Sequence, residues 1–442
     1  MHDTKSTYSL ASRLRLVYKS KHLGGLPAHL PSSVMGEETF TVSVTDEAIS
    51  LLYQKLKQTT FPDELRDAGW EYGVPLADLR RLVDRWTNGY DWRKHEAQLN
   101  AELPQFTRDI PVDGHGTLNI HYIHKRSEVE HAIPLLFVHG WPGSFIEARK
   151  IISLLTQHSQ DHPSFHFVAL SLPGYGYSQG PSQKKFGLDQ YAEVCNELML
   201  ALGYNEYVTQ GGDWGCVITR KIATLYGGKH RKAWHTNFVL GQPPSLFSQP
   251  LDFLALLLKP FTPREKAGLD RTQKYVSKGS GYMYEQATKP QTLGYSIADS
   301  PVGLLAWIYE KLVDWTDEYP WDDDEVLTWV SIFWFSRAGP AASLRIYFEI
   351  AGGNADTLLK DVLAAKGFPS IPLGLSRFPK EIVVLPKSWS KRMGKIVFER
   401  EHERGGHFAA HERPKELVQD LRDMFRKGGP AFGVVTGQSG YD

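Results

Sequence analysis

Asp213 stands at the centre of a glycine-rich segment that has the residue spacing of a nucleophile elbow. Gly211 and Gly215 lie two positions to either side of it, and the strand-like stretch 207–210 precedes it. In such an elbow the nucleophile lies on a strained turn between a strand and a helix, and small flanking residues let the two elements approach closely. A solvated turn aspartate between glycines is the alternative, so the assignment depends on other segments of the chain.

A second segment could supply the hydrogen-bond donors that such a nucleophile needs. Residues 139–144 read His-Gly-Trp-Pro-Gly-Ser and follow an apolar run that begins at Leu135. A loop at the end of a strand is where an α/β-hydrolase places a backbone N–H that binds a developing oxyanion. We expect the backbone N–H groups of Trp141 and Trp214 to form this oxyanion hole. His139 is expected to brace the loop, and a role as the catalytic base is the alternative.

His407 has the strongest positional claim to be the base among seventeen histidines. It follows Gly405 and Gly406 and lies between the last predicted strand and the last predicted helix. An α/β-hydrolase keeps its histidine there, in the chain order nucleophile, acid, base. The neighbouring His402 and His411 are expected at the surface.

The carboxylate that would orient this imidazole is assigned to Glu381. It lies in a turn-like stretch after the predicted strand 370–376 and ahead of the histidine. A surface glutamate beside a lysine is the alternative on position alone. The other place for the acid in this fold, after the strand near His235, holds Asn237, and this favours Glu381.

An aspartate in place of the usual serine points to displacement at a saturated carbon. An ionised carboxylate can attack an epoxide carbon in line without help from a base, and the product is an alkyl ester of Asp213. His407, held by Glu381, would then activate water to hydrolyse the ester while the oxyanion hole stabilises the tetrahedral species. Ring opening also produces an alkoxide. A tyrosine, with a reference pKa of about 10, can donate a proton to it at neutral pH.

The elements that position these residues alternate as in a mostly parallel α/β sheet. Short apolar runs separated by helix-length segments predict strands at 118–123, 135–139, 166–171, 207–210, 370–376 and 395–398. A long stretch rich in tryptophan and tyrosine, with helical spacing, interrupts the alternation after Phe238 and could roof a pocket. Before the strands, two helices are expected, one with Asp46 as its N-cap and one that begins near Pro75. The Gly-rich tail after Lys427 is expected to be loose.

Composition limits the partners of the 442-residue chain. Fifty basic side chains balance fifty acidic ones, and the formal net charge is 0. A neutral chain lacks the basic footprint that binds nucleic acid or an anionic membrane, so a small neutral molecule is the expected partner.

Cys195 and Cys216 have no metal-ligand spacing, and we expect no metal, no cofactor and a reduced, cytoplasmic setting. The first forty residues lack the apolar core of a signal peptide, and no run of eighteen apolar residues is present, so no membrane anchor is expected.

The motifs together closely resemble those of the epoxide hydrolases of the microsomal type, including soluble fungal members. The resemblance extends from about Phe40 to Phe425. The shared segments are 91–93 with Glu96, Leu99 and Asn100, then 139–144, 172–178, 211–215, and 405–410 with Glu412 and Pro414. Cys216 departs from the family, in which a serine is common at that position, and we expect it to have a packing role.

The resemblance implies the roles of nucleophile, acid and base for Asp213, Glu381 and His407. It further implies that Tyr282 and Tyr347, in two cap motifs, donate to the epoxide oxygen. Composition alone could not select them among twenty tyrosines, and Tyr284 is the reserve candidate.

The family pattern also implies a division of the chain into four parts and, often, a homodimer. An N-terminal segment, residues 1–110, would wrap around the core and the cap. Residues 111–240 would form the first part of the α/β-hydrolase core, 241–368 a helical cap, and 369–442 the second part of the core with the C-terminal tail.

Two other functions are compatible with parts of this pattern. A haloalkane dehalogenase shares the aspartate, the histidine and often a tryptophan after the aspartate, but the cap tyrosine motifs favour an epoxide and water as the substrates. A ligand receptor without activity could share the fold, but an intact set of Asp213, Glu381 and His407 argues against it. Tryptophans and phenylalanines in the cap give a weak bias toward bulky or aryl epoxides.

Overall fold

One mixed sheet runs through the part of the protein that this computed structural model describes, residues 37–247, 249–358 and 368–442. Its strands are β1 Glu38–Thr39, β2 Gln105–Val112, β3 Gly116–Lys125, β4 Ile133–Val138, β5 Phe165–Leu170, β6 Tyr207–Gly211, β7 Arg231–Thr236, β8 Pro372–Arg377 and β9 Lys395–Glu401. Residues 1–36 of the predicted N-terminal segment and residues 359–367 of the predicted cap lie outside the described residues.

The strand order is β1-β2-β3-β5-β4-β6-β7-β8-β9. The six strands from β5 to β9 pair in parallel, and β1, β2 and β3 pair antiparallel at one edge. The predicted, mostly parallel sheet is therefore confirmed. β2 was not predicted because it is not an apolar run: its buried residues include the polar Gln105 and Thr107, and Pro111 lies within it. It is continuous across the division predicted at residues 110 and 111.

Helices cover the sheet. Helices from Pro250–Leu258 to Arg345–Ala351 form the insertion between β7 and β8, which we call the cap. The α-helices are α1 Asp46–Lys57, α2 Leu76–Asn88, α3 Trp92–Glu102, α4 Ile152–Thr156, α5 Leu188–Ala201, α6 Trp214–Tyr226, α7 Pro250–Leu258, α8 Pro263–Lys274, α9 Gly281–Thr288, α10 Pro290–Asp299, α11 Pro301–Asp314, α12 Asp323–Trp334, α13 Arg345–Ala351, α14 Lys387–Ser390, α15 Ala409–Glu412 and α16 Pro414–Phe425. Phe145–Lys150 forms a 3₁₀ turn, and Tyr275–Gly279 forms a π turn.

Packing of helices on the sheet explains why its central strands are apolar on both faces. α5 and α6 contact each other and strands β2, β6 and β7, whereas α4 and α16 contact each other and strands β5 and β8. All residues of β4 and β6 are buried, as expected for parallel strands covered on both faces. No helix among the described residues has the length and apolar character needed to cross a membrane.

The described N-terminal residues contact both the sheet and the cap. The Asn100 side chain exchanges two hydrogen bonds of 2.8 Å with the backbone of Val42, just after β1. Arg85 of α2 donates to Asp324 of α12 at 2.8 Å. The prediction that α1 is capped by Asp46 is wrong by one residue, because the Thr45 hydroxyl accepts the hydrogen bond from the third helical N–H.

A buried polar cluster joins the cap to the core and corrects one sequence prediction. His411 was expected at the surface, but it is 3% exposed. Its Nε2 lies 2.8 Å from Glu325 of α12 and 3.1 Å from Lys150. His411 is therefore buried because the cap helix that carries Glu325 covers it. His402, in contrast, is half-buried against Asp420.

The glycine-rich tail is packed, contrary to the expectation that it is loose. The Ser164 N–H donates to the Gly440 carbonyl at 2.8 Å, and the Gly440 N–H donates to the His131 carbonyl at 2.7 Å. Val435 is 3% exposed and Tyr441 is 5% exposed. Glycine content therefore misleads here, because a few apolar side chains anchor the whole segment.

We expect Val435→Ala to lower the free energy of unfolding by about 2 kcal/mol, because it removes buried apolar atoms from the tail. Phe432→Ala is the matched control, since Phe432 lies in the same tail but is 41% exposed, and a surface truncation costs about 0.5 kcal/mol or less. Urea denaturation measures both variants. Equal midpoints for Val435→Ala and the unaltered protein would mean that the tail is loose.

Candidate active site

The elbow around Asp213 joins the end of β6 to the start of α6. Asp213 has φ +49° and ψ −129°, a strained conformation for a residue with a side chain. A Cβ at Gly215 would overlap the Val138 carbonyl oxygen at the end of β4, and one at Gly211 would crowd the Gly215 backbone. The small residues at these two positions are therefore required for the close packing that presents the Asp213 carboxylate.

The loop after β4 lies directly against this carboxylate. The Trp141 backbone N–H donates to Asp213 Oδ1 at 2.8 Å. A side chain at Gly140 would overlap Asp213, so a glycine is needed for this approach. Trp214 is the first residue of α6, and the first N–H groups of a helix have no acceptor within the helix. Of the two predicted donors of the oxyanion hole, Trp141 thus contacts the carboxylate, and the Trp214 N–H belongs to the residue directly after it in the elbow.

His407 lies between two carboxylates. Its Nδ1 is 2.5 Å from Glu381 Oε1, and its Nε2 is 3.4 Å from Asp213 Oδ2. The Ile382 N–H also donates to Glu381 Oε1 at 2.6 Å, which holds the carboxylate in place. Glu381 is 2% exposed, so the alternative of a surface glutamate is wrong.

The His407 backbone is held from the cap and from the core. Its N–H donates to the carbonyl of Trp315, the residue after α11, at 2.8 Å. The Asn237 side chain donates to its carbonyl at 3.3 Å, and Gln210 donates to the Asn237 side-chain oxygen at 2.8 Å. Asn237, which stands where an acid could have been, therefore supports the histidine loop.

The charge of His407 depends on its two acidic neighbours. Burial alone would lower its pKa, but the carboxylates of Glu381 and Asp213 outweigh burial and raise the pKa of His407 to about 10. Since both anions contribute, loss of the negative charge on Asp213 would bring this pKa down.

Two cap tyrosines face Asp213 across an apolar cavity of about 60 Å³. Tyr282 of α9 and Tyr347 of α13 both line it, and burial raises the pKa of each phenol well above its ordinary value. They are therefore protonated and able to donate at neutral pH. The Tyr282 ring stacks on Trp141, and the Tyr347 ring packs edge-on against Trp214, with ring centroids 5.0 and 4.9 Å apart.

A third tyrosine in the same cavity was not predicted from the sequence. The Tyr275 hydroxyl lies 2.9 Å from the Tyr282 hydroxyl, and Tyr275 opens the π turn that precedes α9. No motif in the sequence marked it, because only the folded cap brings it to the cavity. Tyr284, the reserve candidate, is 38% exposed and does not line the cavity.

Other residues of the predicted motifs have supporting contacts. His139 is buried, and burial lowers its pKa to about 4. Its Nε2 accepts from the Leu172 N–H at 3.1 Å, as expected for a residue that braces the loop. Cys216 is buried, with its sulfur 3.2 Å from the Phe238 carbonyl, which agrees with a packing role.

Within the described ranges, no group of three or more His, Cys, Asp and Glu side chains could hold a metal ion.

The chain matches two known protein families. Residues 37–148 match the family described as epoxide hydrolase N terminus, and residues 133–254 match the family described as alpha/beta hydrolase fold. The predicted α/β-hydrolase fold is thus confirmed.

Similar proteins cover almost the whole chain. A Stigmatella aurantiaca protein named as a candidate epoxide hydrolase is 39% identical over 402 residues, which cover 89% of this chain and 85% of that protein. Epoxide hydrolase 1 of Sus scrofa is 34% identical and covers 90% of both chains. The solved structure of Aspergillus niger epoxide hydrolase has a TM-score of 0.74 at 34% identity and covers 88% of this chain and 96% of that one.

We expect Asp213→Ala to lower the pKa of His407 while the protein stays folded, because one of the two anions that stabilise the imidazolium is removed. The half-protonation point of the ring should move to lower pH. Nuclear magnetic resonance of the histidine ring measures it, with exposed His131 as the internal reference. An unchanged titration of His407 would show that Asp213 does not influence its charge.

Proposed function

The chain belongs to the epoxide hydrolase family and is an epoxide hydrolase, and we propose that it forms a vicinal diol through a covalent ester on Asp213. The observation that carries this proposal is the position of the Asp213 carboxylate, between His407 on one side and the hydroxyl-bearing cavity wall on the other. The His407–Glu381 pair lies on one side of Asp213, and Tyr282 and Tyr347 lie on the other. Among the described residues, no other carboxylate has this position.

In the first step the carboxylate opens the ring. Trp141 holds Asp213 Oδ1, so Oδ2 is the oxygen available to attack the epoxide carbon. A bond forms between Oδ2 and carbon as the ring C–O bond breaks. Tyr282 or Tyr347 gives its proton to the departing oxygen, which becomes the first hydroxyl of the product.

Ester formation also prepares the base for the second step. Asp213 loses its negative charge, and this removes one of the two anions that raise the pKa of His407. The imidazolium can then return a proton to the tyrosinate and become a neutral base. Glu381 remains hydrogen-bonded to Nδ1 and keeps Nε2 directed at the site of hydrolysis.

In the second step water attacks the carbonyl carbon of the ester. His407 Nε2 takes one proton of the water, and the backbone N–H of Trp141, together with that of Trp214, stabilises the tetrahedral oxyanion. Collapse breaks the bond between the carbonyl carbon and the alkyl oxygen. The alkyl oxygen takes the proton from His407, which releases the diol and leaves Asp213 as a carboxylic acid. The acid proton then passes to His407 Nε2, which lies 3.4 Å from Asp213 Oδ2, and this restores the carboxylate and the imidazolium.

The cavity supports a neutral, apolar epoxide as the substrate class. Apart from Asp213 and the tyrosines, its wall is formed by apolar side chains, namely Trp214, Val217, Phe238, Leu240, Met283, Leu358, Ile382 and Val383. The large cap aromatics Trp315 and Trp329 do not line the cavity themselves. Trp315 packs behind Tyr282 and against His407, and Trp329 packs against Phe408.

We further propose a cytoplasmic homodimer, which cell fractionation and analytical ultracentrifugation test.

Oxygen-18 labelling tests the covalent route. With enzyme in excess over epoxide in oxygen-18 water, the first-turnover diol should be unlabelled, because its new oxygen comes from Asp213. The peptide from Gly211 to Arg220 should gain the heavy isotope, and mass spectrometry measures both products. A labelled diol with an unlabelled peptide would mean that water attacks the epoxide directly.

Tyrosine variants test the source of the proton. Tyr282→Phe and Tyr347→Phe should each slow ester formation by about tenfold or more, and the double variant by about a thousandfold, because one donor partly replaces the other. Rapid-quench measurement of the covalent adduct gives these rates. Tyr284→Phe is the matched control and should leave them unchanged, since Tyr284 does not line the cavity. Normal rates in both single variants would remove these tyrosines from the mechanism.

A further inference from the structure

A second, much smaller cavity meets Asp213 on the side of His407. Its volume is about 10 Å³, which is on the order of the space that one water molecule occupies. Polar side chains in its lining come from Glu147, Asp213, Asn237 and His407. The rest of the lining is glycine, alanine and aromatic residues.

Glu147 brings a carboxyl group into this cavity that the mechanism above does not use. It lies in the 3₁₀ turn Phe145–Lys150, close after the loop that holds the Trp141 N–H, and it is 8% exposed. A Cβ at Gly143 would overlap Glu147 Oε1, so the loop makes room for the carboxyl group by having a glycine there.

The carboxyl group of Glu147 receives no hydrogen bond from the residues that the structure describes. Its electrostatic surroundings are burial and the charges of His407 and Asp213, with no hydrogen-bonded partner among them. A buried carboxyl group without a partner is costly, so a water molecule in the cavity is its expected partner. Asn237 already accepts from Gln210 and donates to the His407 carbonyl, so its amide is partly engaged in holding the histidine loop.

The protonation state of Glu147 suits contact with a neutral water molecule. Burial, together with the nearby negative charge of Asp213, raises the pKa of Glu147 to about 8, although His407 acts in the opposite direction. At neutral pH the group is therefore mainly an uncharged acid. It can both donate and accept a hydrogen bond, and it adds little negative charge beside the Asp213 carboxylate.

We propose that Glu147 and His407 together hold the water molecule that hydrolyses the Asp213 ester, an inference that rests on the proposed covalent mechanism. The water oxygen bonds to the carbonyl carbon of Asp213, and one of its protons moves to His407 Nε2. Glu147 forms a hydrogen bond with the same water molecule, as donor or acceptor. It neither gains nor loses a proton in this step. It contributes by keeping the oxygen directed at the ester.

Two variants of Glu147 separate hydrogen bonding from packing. Glu147→Gln keeps the shape and a neutral hydrogen-bonding group, so ester hydrolysis should stay within about threefold of the unaltered rate. Glu147→Leu removes the hydrogen bond, and hydrolysis should slow by about tenfold, which corresponds to about 1.4 kcal/mol. Ester formation should be unchanged in both. Rapid quench followed by intact-mass spectrometry measures each step, because the ester accumulates when hydrolysis is slower.

Reference variants make the outcome decisive. Glu96→Gln makes the same change at a buried carboxylate that binds the Val44 N–H outside the cavity, and it should leave both steps unchanged. His407→Gln should accumulate the ester; if it forms none with a bound epoxide, the covalent mechanism itself is wrong. If His407→Gln forms the ester but Glu147→Leu hydrolyses it at the normal rate, the role of Glu147 alone is wrong.

The unaltered protein provides a test that does not depend on the folding of any variant. A crystal structure at a resolution that shows ordered water should contain a water molecule in hydrogen-bonding contact with both Glu147 and His407. A cavity without such a water molecule would overturn the proposal.

Discussion

The close packing of the end of β4 against the elbow between β6 and α6 is the constraint on which the site depends. Val138 and Gly215 approach so closely that no side chain fits between them, and the same loop brings Gly140 against Asp213. A residue at φ +49° keeps this strained conformation only when the surrounding structure determines it. The fully buried parallel strands on either side provide that rigidity. The energy of the core is thus used in part to hold one carboxylate in an otherwise unfavourable conformation.

The electrostatics of the site follow from placing three carboxyl groups around one imidazole in a buried space. Glu381 and Asp213 lie within hydrogen-bonding or ion-pair distance of His407 and favour its charged form. Glu147 has no such direct contact, and burial favours its neutral form. One fold thereby gives chemically similar groups different charge states and partners, as the proposed roles of nucleophile, orienting anion and uncharged acid require. The separation arises from the partners of each group, since all three lie in the same low-dielectric region.

The parts of the site that could be predicted from the sequence are those that short-range patterns or chain order record. The elbow at Asp213 was predictable because glycines within two residues report a local packing requirement. Glu381 and His407 followed from chain order, which the parallel topology preserves. Tyr275, Glu147 and the burial of His411 depend on contacts between segments more than a hundred residues apart or on cavities that no motif records. The prediction of a loose tail was wrong for the same reason. The glycines of the tail are visible in the sequence, but the contacts that bury Val435 and Tyr441 are not.

The hydrogen bond from the His407 backbone to the Trp315 carbonyl makes the position of the His407 loop depend on the cap. A cap in α/β enzymes is often regarded as an exchangeable module that sets substrate preference over an invariant core. In this protein a transplanted cap would also have to reproduce one carbonyl position at the end of its α11 equivalent, or His407 would shift. Variation of the pocket is therefore expected to be tolerated at apolar lining positions such as Met283 and Leu358, while the end of α11 is expected to vary as little as the residues around His407.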